Sequence, residues 1–116
     1  MNESLEIFGK KFIERVRDDG IEYWEQVFEN KMKDQGSKEL HRLISDFKEE
    51  DQKIIMKLLI KTIDQSLHDI LWFFETSEKF SILDNETHEK LDEESDGLAG
   101  ELYSEEGWIQ KFSSKH

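Results

Sequence analysis

The stretch from Glu49 to Ser77, EEDQKIIMKLLIKTIDQSLHDILWFFETS, decides the fold. At about 100° per residue, Ile55, Leu59, Ile63, Leu67, Ile70, Leu71 and Phe74 fall on one broad face, with Met56, Ile60 and Phe73 at its edges. That spacing predicts an amphipathic helix. Ile54, Leu58 and Trp72 add a second apolar strip, which leaves a narrow polar arc through Lys57, Lys61, Asp64, His68 and Glu75. A helix that is apolar over most of its circumference is expected to be enclosed by other elements. Unbroken, it would run about 42 Å, against a domain of this length roughly 35 Å across. The sequence therefore predicts a central helix spanning the domain. Asp46 and Glu49 have the spacing of a capping box, and Glu49, Glu50 and Asp51 place negative charge in the first turn, where free amides favour it.

Working outward towards the N-terminus, Leu5, Phe8, Phe12 and Val16, with Ile13 beside them, predict a helix from about Glu3 to Asp19 that Gly20 would end. Ile21, Trp24, Phe28 and Met32 repeat the spacing and predict a second helix closed by Gly36. Gly9 lies off the first stripe, where it would cost a little stability. Ser37 is placed to cap a third, short helix carrying Leu40, Leu43, Ile44 and Phe47. The first 77 residues thus read as an antiparallel bundle of about four helices with short connections.

After Ser77 the helical period weakens. Phe80, Ile82 and Leu83 fit a short strand or a loop tucked under the bundle, and Thr87 to Glu94 has Leu91 as its only apolar anchor. Three of the six glycines, Gly97, Gly100 and Gly107, then punctuate a run containing Leu98, Leu102, Tyr103, Trp108, Ile109 and Phe112. Glycines at this density predict irregular backbone, with strand structure at 108–112 an open alternative. These side chains are too many to leave in water, and Ile70 to Phe74 is apolar all round. The C-terminal segment is therefore expected to fold back over that end, anchored by Trp108 and Phe112. Left uncovered, Ile70 to Phe74 would form a patch of the kind that drives dimerisation. The expected fold class is all-α: one helical domain over 1–116, with a bundle at 1–77 and an acidic, glycine-containing segment at 78–116 packed on it.

Length and composition narrow the function. A chain of 116 residues can bury a core without metals or disulfides. The absence of Cys removes zinc–thiolate sites, iron–sulfur clusters and thiol nucleophiles. It also fits a cytoplasmic location. Met1 to Glu6 is acidic, so no secretory signal is expected. The longest uninterrupted apolar run, Ile70 to Phe74, is far short of the roughly 20 residues of a membrane span. The net charge of −12 is uneven: Asp84 to Glu106 holds ten acids against Lys90 alone. Such a field repels phosphates, so neither nucleic acid nor membrane is an expected partner.

Candidate chemistry is sparse. Asp64 and His68 stand one helical turn apart on the polar arc, a spacing that suits two metal ligands or an acid orienting a base. Ordinary solvated pairs have the same spacing, and Lys61 opposes a cation. Asp92 to Gly97 begins like a calcium loop, with acids at the first, third and fifth positions and Gly at the sixth. Tyr103 then stands at the twelfth position and Glu101 two residues too early. His41 sits beside Leu40 and Leu43, His88 among acids, and no nucleophile elbow or phosphate loop is present. No catalytic residue, cofactor or enzymatic activity has a visible basis. Trp24, Trp72 and Trp108 suit a core, or a pocket between helices, and Tyr23 flanks its stripe as a candidate exposed contact.

Two functional expectations follow. The first is a small acidic protein-binding domain of inhibitor or immunity type. It would present Asp92, Glu93, Glu94, Asp96, Glu101, Tyr103, Glu105 and Glu106 to a basic protein, since concentrated charge speeds encounter with complementary partners. The second is a small-molecule or metal-binding helical domain using the Asp64/His68 face or an aromatic pocket under the C-terminal segment. Neither expectation sets an oligomeric state, monomer or homodimer.

Overall fold

The first long helix does not stop at Gly20. The computed structural model describes residues 3–115, and in it α1 (Glu3–Phe12) passes through a π-helical segment (Ile13–Asp18) into α2 (Asp19–Phe28) without leaving right-handed helical backbone. The wider π turn rephases the apolar stripe. Val16, expected inward, is 44% exposed, while its neighbour Arg17 is 3% exposed with Asp18 buried beside it. Ile13, Ile21 and Val27 carry the packing on either side of the shift.

Asn30 ends α2 instead of glycine. It adopts φ 59, and the amides of Asn30 and Lys31 return to the Val27 and Gln26 carbonyls at 3.1 and 2.9 Å. This is a Schellman closure, in which Asn tolerates the left-handed position through its short polar side chain. Gly36, expected to close α2, instead lies in the first turn of α3 (Gln35–Ser45). The cap of α3 is Asp34, not Ser37: Asp34 accepts from the Ser37 amide at 3.0 Å and from its hydroxyl at 2.9 Å. Those donors hold the Asp34 carboxyl below its ordinary 3.8. Ser37 is itself buried and its hydroxyl meets the Tyr23 hydroxyl at 2.8 Å. Tyr23 is thus half-buried at the α2–α3 corner, where His41 Nδ1 also lies 2.9 Å from the Val27 carbonyl oxygen.

The helix α4 (Glu49–Thr76) matches its expected span and is the longest element among the described residues. The expected Asp46/Glu49 capping box does not form. Asp46 closes α3, and Lys48 takes the N-cap of α4 with no side-chain bond. The expected enclosure of α4 is also overturned. Leu67 and Leu71 are buried, but Ile54, Leu58, Ile70, Trp72 and Phe73 are all exposed. Two short helical stretches and a tail cannot wrap a rod of about 42 Å, and the molecule is accordingly elongated, 48 × 30 × 23 Å. Its radius of gyration is 16.7 Å, where a compact chain of this length would have about 13 Å.

The C-terminal segment does fold back on the inner face. Leu91, Leu98, Ala99, Leu102 and Trp108 join Leu5, Ile13, Leu67 and Leu71 in one core, with Phe112 and Phe74 packed against it. The segment comprises α5 (Leu91–Glu94), a 3-10 turn (Ala99–Leu102) and α6 (Trp108–Phe112). The possible strand at 108–112 is therefore helical, and strand character at 80–83 reduces to a single antiparallel bridge between Leu83 and Lys90. The fold is all-α around a long central helix.

Gly9 has a clear role. It is buried, and a Cβ there would stand 2.5 and 2.6 Å from Nε1 and Cδ2 of Trp108. Only glycine lets the indole lie this close to α1. The same ring meets Phe8 edge-on at 5.8 Å between centroids.

Candidate functional site

Five of the eight acids and aromatics expected to face a partner come together. Glu94, Asp96, Glu101, Glu105 and Glu106 line one concavity of about 940 Å³ with Glu6 of α1, and Lys111 of α6 is the single cation among the described residues of its wall. Lys111 is already committed, donating to Glu6 at 2.8 Å. Ser95 donates to Glu101 at 2.9 Å and turns its own oxygen to the Gly97 amide at 3.1 Å. These bonds fix the loop that carries Asp96. Around Gly107, which is buried, a side chain would strike the Tyr103 carbonyl, so the turn bearing Glu105 and Glu106 is held close to the 3-10 turn.

The remaining three residues serve elsewhere. Asp92 accepts from the Ile82 amide at 2.9 Å and from the Ser81 hydroxyl at 3.2 Å, pinning the loop over 80–91 rather than facing the concavity. Glu93 is exposed outside the concavity. Tyr103 lies against α4, its ring 6.2 Å from His68 and its hydroxyl 3.5 Å from the Asp64 carbonyl oxygen. Sequence reasoning missed Glu6 and Lys111. Their signal was available only through the antiparallel return of α6 along α1, which no local pattern encodes.

The Asp64/His68 pair points to two different partners. Asp64 is gripped by Arg17, at 2.6 Å to Nε and 3.4 Å to Nη2, in a forked guanidinium–carboxylate pair. His68 Nδ1 stands 3.3 Å from Asp69, and its ring stacks at 6.4 Å on Trp72. Among the described residues no group of three or more His, Cys, Asp or Glu is arranged to hold a metal. The space under the C-terminal segment is filled by Leu98, Leu102 and Trp108, each at most 2% exposed. The first positions of the calcium-like run form α5, and Asp92 within it is bonded to backbone.

Arg17 also anchors the tail. Its Nη1 donates to Ser113 Oγ at 2.8 Å and to the Lys115 carbonyl, while Asp18 accepts from the Ser113 hydroxyl at 2.7 Å and the Ser114 amide at 2.9 Å. The π segment thus turns two charged side chains inward as a socket for residues 113–115.

No protein family, curated protein or solved structure matches the chain. What the site does must be read from its own geometry. Among the described residues, six carboxylates line the hollow with one cation, already paired, and create a negative potential that a concave wall concentrates. Ammonium and guanidinium groups are the chemical complement of such a wall, since their bonds to carboxylates are charge-assisted. No helix among the described residues is long and apolar enough to cross a membrane.

Tyr103 gives the neighbourhood a pH signature. Burial pushes its phenol above 10.0, the Asp64 and Asp69 charges push it further, and Arg17 pulls it partly back. The fold therefore favours the neutral phenol. That contribution is fully present below the unfolded value of about 10 and is lost as pH rises through the higher folded value. Spectrophotometric titration should find a phenol ionising later than a free tyrosine, and Tyr103→Phe should remove that step and reduce the loss of stability on the alkaline side. A titration unchanged by Tyr103→Phe would contradict the assignment.

Proposed function

We propose that this chain is a small cytoplasmic protein-binding domain that captures a basic partner protein in its acidic concavity, in the manner of an inhibitor or immunity protein. The observation that carries this reading is the convergence of Glu6, Glu94, Asp96, Glu101, Glu105 and Glu106 on one hollow in which Lys111, the one cation among the described lining residues, is already paired. Carboxylates gathered this closely repel one another, which is a standing cost to the fold. A partner bringing Lys or Arg relieves it on binding, so the same charges that strain the free protein favour the complex.

The test is capture of basic proteins from lysate, identification of the retained protein, and titration of it in purified form. Affinity is expected to fall steeply with salt, and the variant Asp96→Lys/Glu105→Lys/Glu106→Lys, at exposed positions, is expected to lose the partner while keeping its helical circular dichroism. A partner held equally well by the triple variant would overturn the reading.

A further inference from the structure

The outer face of α4 is built to meet a second copy of itself. Ile54, Leu58, Trp72 and Phe73 are 56%, 61%, 51% and 53% exposed. Ile54 and Trp72 are five full turns apart and share one line along the helix, with their levels separated by about 27 Å. Two apolar clusters thus stand towards opposite ends of one face, separated by the polar Lys61, Thr62 and Gln65.

Charge divides α4 in the same way. Between Gln52 and Thr62 there are three lysines, Lys53, Lys57 and Lys61, and no acid; between Ile63 and Glu78 there are four acids, Asp64, Asp69, Glu75 and Glu78, and no Lys or Arg. Lys53, Lys57 and Lys61 lie one turn apart along one flank of the outer face, are exposed, and form no ion pair among the described residues. Further along, the same flank carries Asp64 and Glu75, and the acidic C-terminal segment borders it. Ala99 donates its amide to Glu75 at 2.8 Å, and Tyr103 touches Asp64 and His68.

We infer that the protein forms a two-fold homodimer in which two α4 helices pack antiparallel through this face. A two-fold axis near the level of Ile63 lays Ile54 of one copy against Trp72 of the other and Leu58 near His68. It also sets like flank against like flank. The lysine row of each copy then runs along the Glu75 and C-terminal-segment flank of the other, Asp64 being already paired with Arg17, so complementarity is satisfied twice. Closed two-fold pairing through one self-complementary patch is the commonest form of association. The net charge of −12 per chain opposes any pairing, but at physiological salt that repulsion is screened beyond about 8 Å, while pairs formed across the contact lie within it. This inference uses a different surface from the acidic concavity and stands or falls independently of the basic-partner reading.

Sedimentation over a dilution series tests it, with 13.9 kDa as the monomer mass. A particle of twice that mass is expected at high concentration. Leu58→Glu and Trp72→Glu should each raise the dissociation constant at least about tenfold; both sites are exposed in the single chain, and circular dichroism checks that the fold persists. Lys53→Glu/Lys57→Glu/Lys61→Glu should dissociate the dimer. Lys31→Glu/Lys33→Glu/Lys38→Glu, which changes net charge equally at exposed sites away from α4, should weaken it far less. A monomer throughout the series overturns the inference and leaves the face to a different protein. So does a dimer indifferent to Leu58→Glu and Trp72→Glu, or one weakened equally by the two lysine triples.

Discussion

Gly9→Ala should lower the thermal midpoint by roughly 10 °C. The added Cβ would fall 2.5 Å from the indole nitrogen of Trp108, a distance no relaxed pair of atoms adopts. Trp108 is 2% exposed and hemmed by Leu5, Leu71, Leu98 and Leu102 in the same core, so the ring has no free volume to retreat into. The strain belongs at the upper end of overpacking, about 3 kcal/mol. Relief comes only by moving α6 off α1, and the Glu6–Lys111 pair should loosen with it. Calorimetry reads the stability and tryptophan fluorescence the exposure of Trp108. Pairing Gly9→Ala with Trp108→Leu decides the cause: the double variant should lose less than the sum of the singles, because the smaller side chain makes room for the methyl. Simple additivity would mean that the collision is not what destabilises Gly9→Ala.

The second large effect is expected at Arg17. Its guanidinium is buried, forked onto Asp64, and donates to Ser113 Oγ and the Lys115 carbonyl. Arg17→Met leaves Asp64 and Asp18 with their charges but without this partner, a defect of about 3–5 kcal/mol. Arg17→Lys should recover only part of that, since a point charge cannot fork onto Asp64 while also reaching Ser113. Arg17→Met/Asp64→Leu should be more stable than Arg17→Met alone, because no unpaired carboxylate remains at position 64. Urea denaturation measures all three. Hydrogen exchange at the Ser114 and Lys115 amides should rise in Arg17→Met, whereas exposed Arg15→Met serves as an unaffected control. Protection unchanged at those amides would show that Asp18 alone holds the tail.

Much of the architecture was legible because it depends on periodic apolar spacing. The span of α4 and the return of the C-terminal segment onto it follow from side chains that water would not tolerate together, although the segment covers Leu67 and Leu71 and leaves Ile70, Trp72 and Phe73 of the end it was expected to cover exposed. The errors cluster where a local rule met a longer-range one. Gly20 reads as a terminator, but the π turn keeps the helix running, and that insertion leaves no mark in a stripe counted at 3.6 residues per turn. The same insertion turned Val16 outward. Gly9 looked like a mild defect because the indole it accommodates is 99 positions away. Asp34 and Asn30 are recognisable cap residues in hindsight, yet Ser37 and Gly36 competed for the same roles within a few residues. For the site, the acidic run predicted Glu94, Asp96, Glu101, Glu105 and Glu106, whereas Glu6 depended on tertiary return. Asp92 shows the limit of charge counting: a carboxylate can be spent on a backbone amide within its own loop.

The contact between the π segment and residues 113–115 has a consequence for how the molecule is made. Arg17 and Ser113 are 96 positions apart, and Glu6 and Lys111 are 105 apart. On the ribosome, α4 emerges and forms long before α6 and the tail exist. For that interval Leu67 and Leu71 lack the part of their cover that Leu98, Leu102 and Trp108 supply, and at about 5–20 residues per second it lasts several seconds. The nascent chain is then at its most adhesive, and the segment from Leu98 to Phe112 is what ends that state.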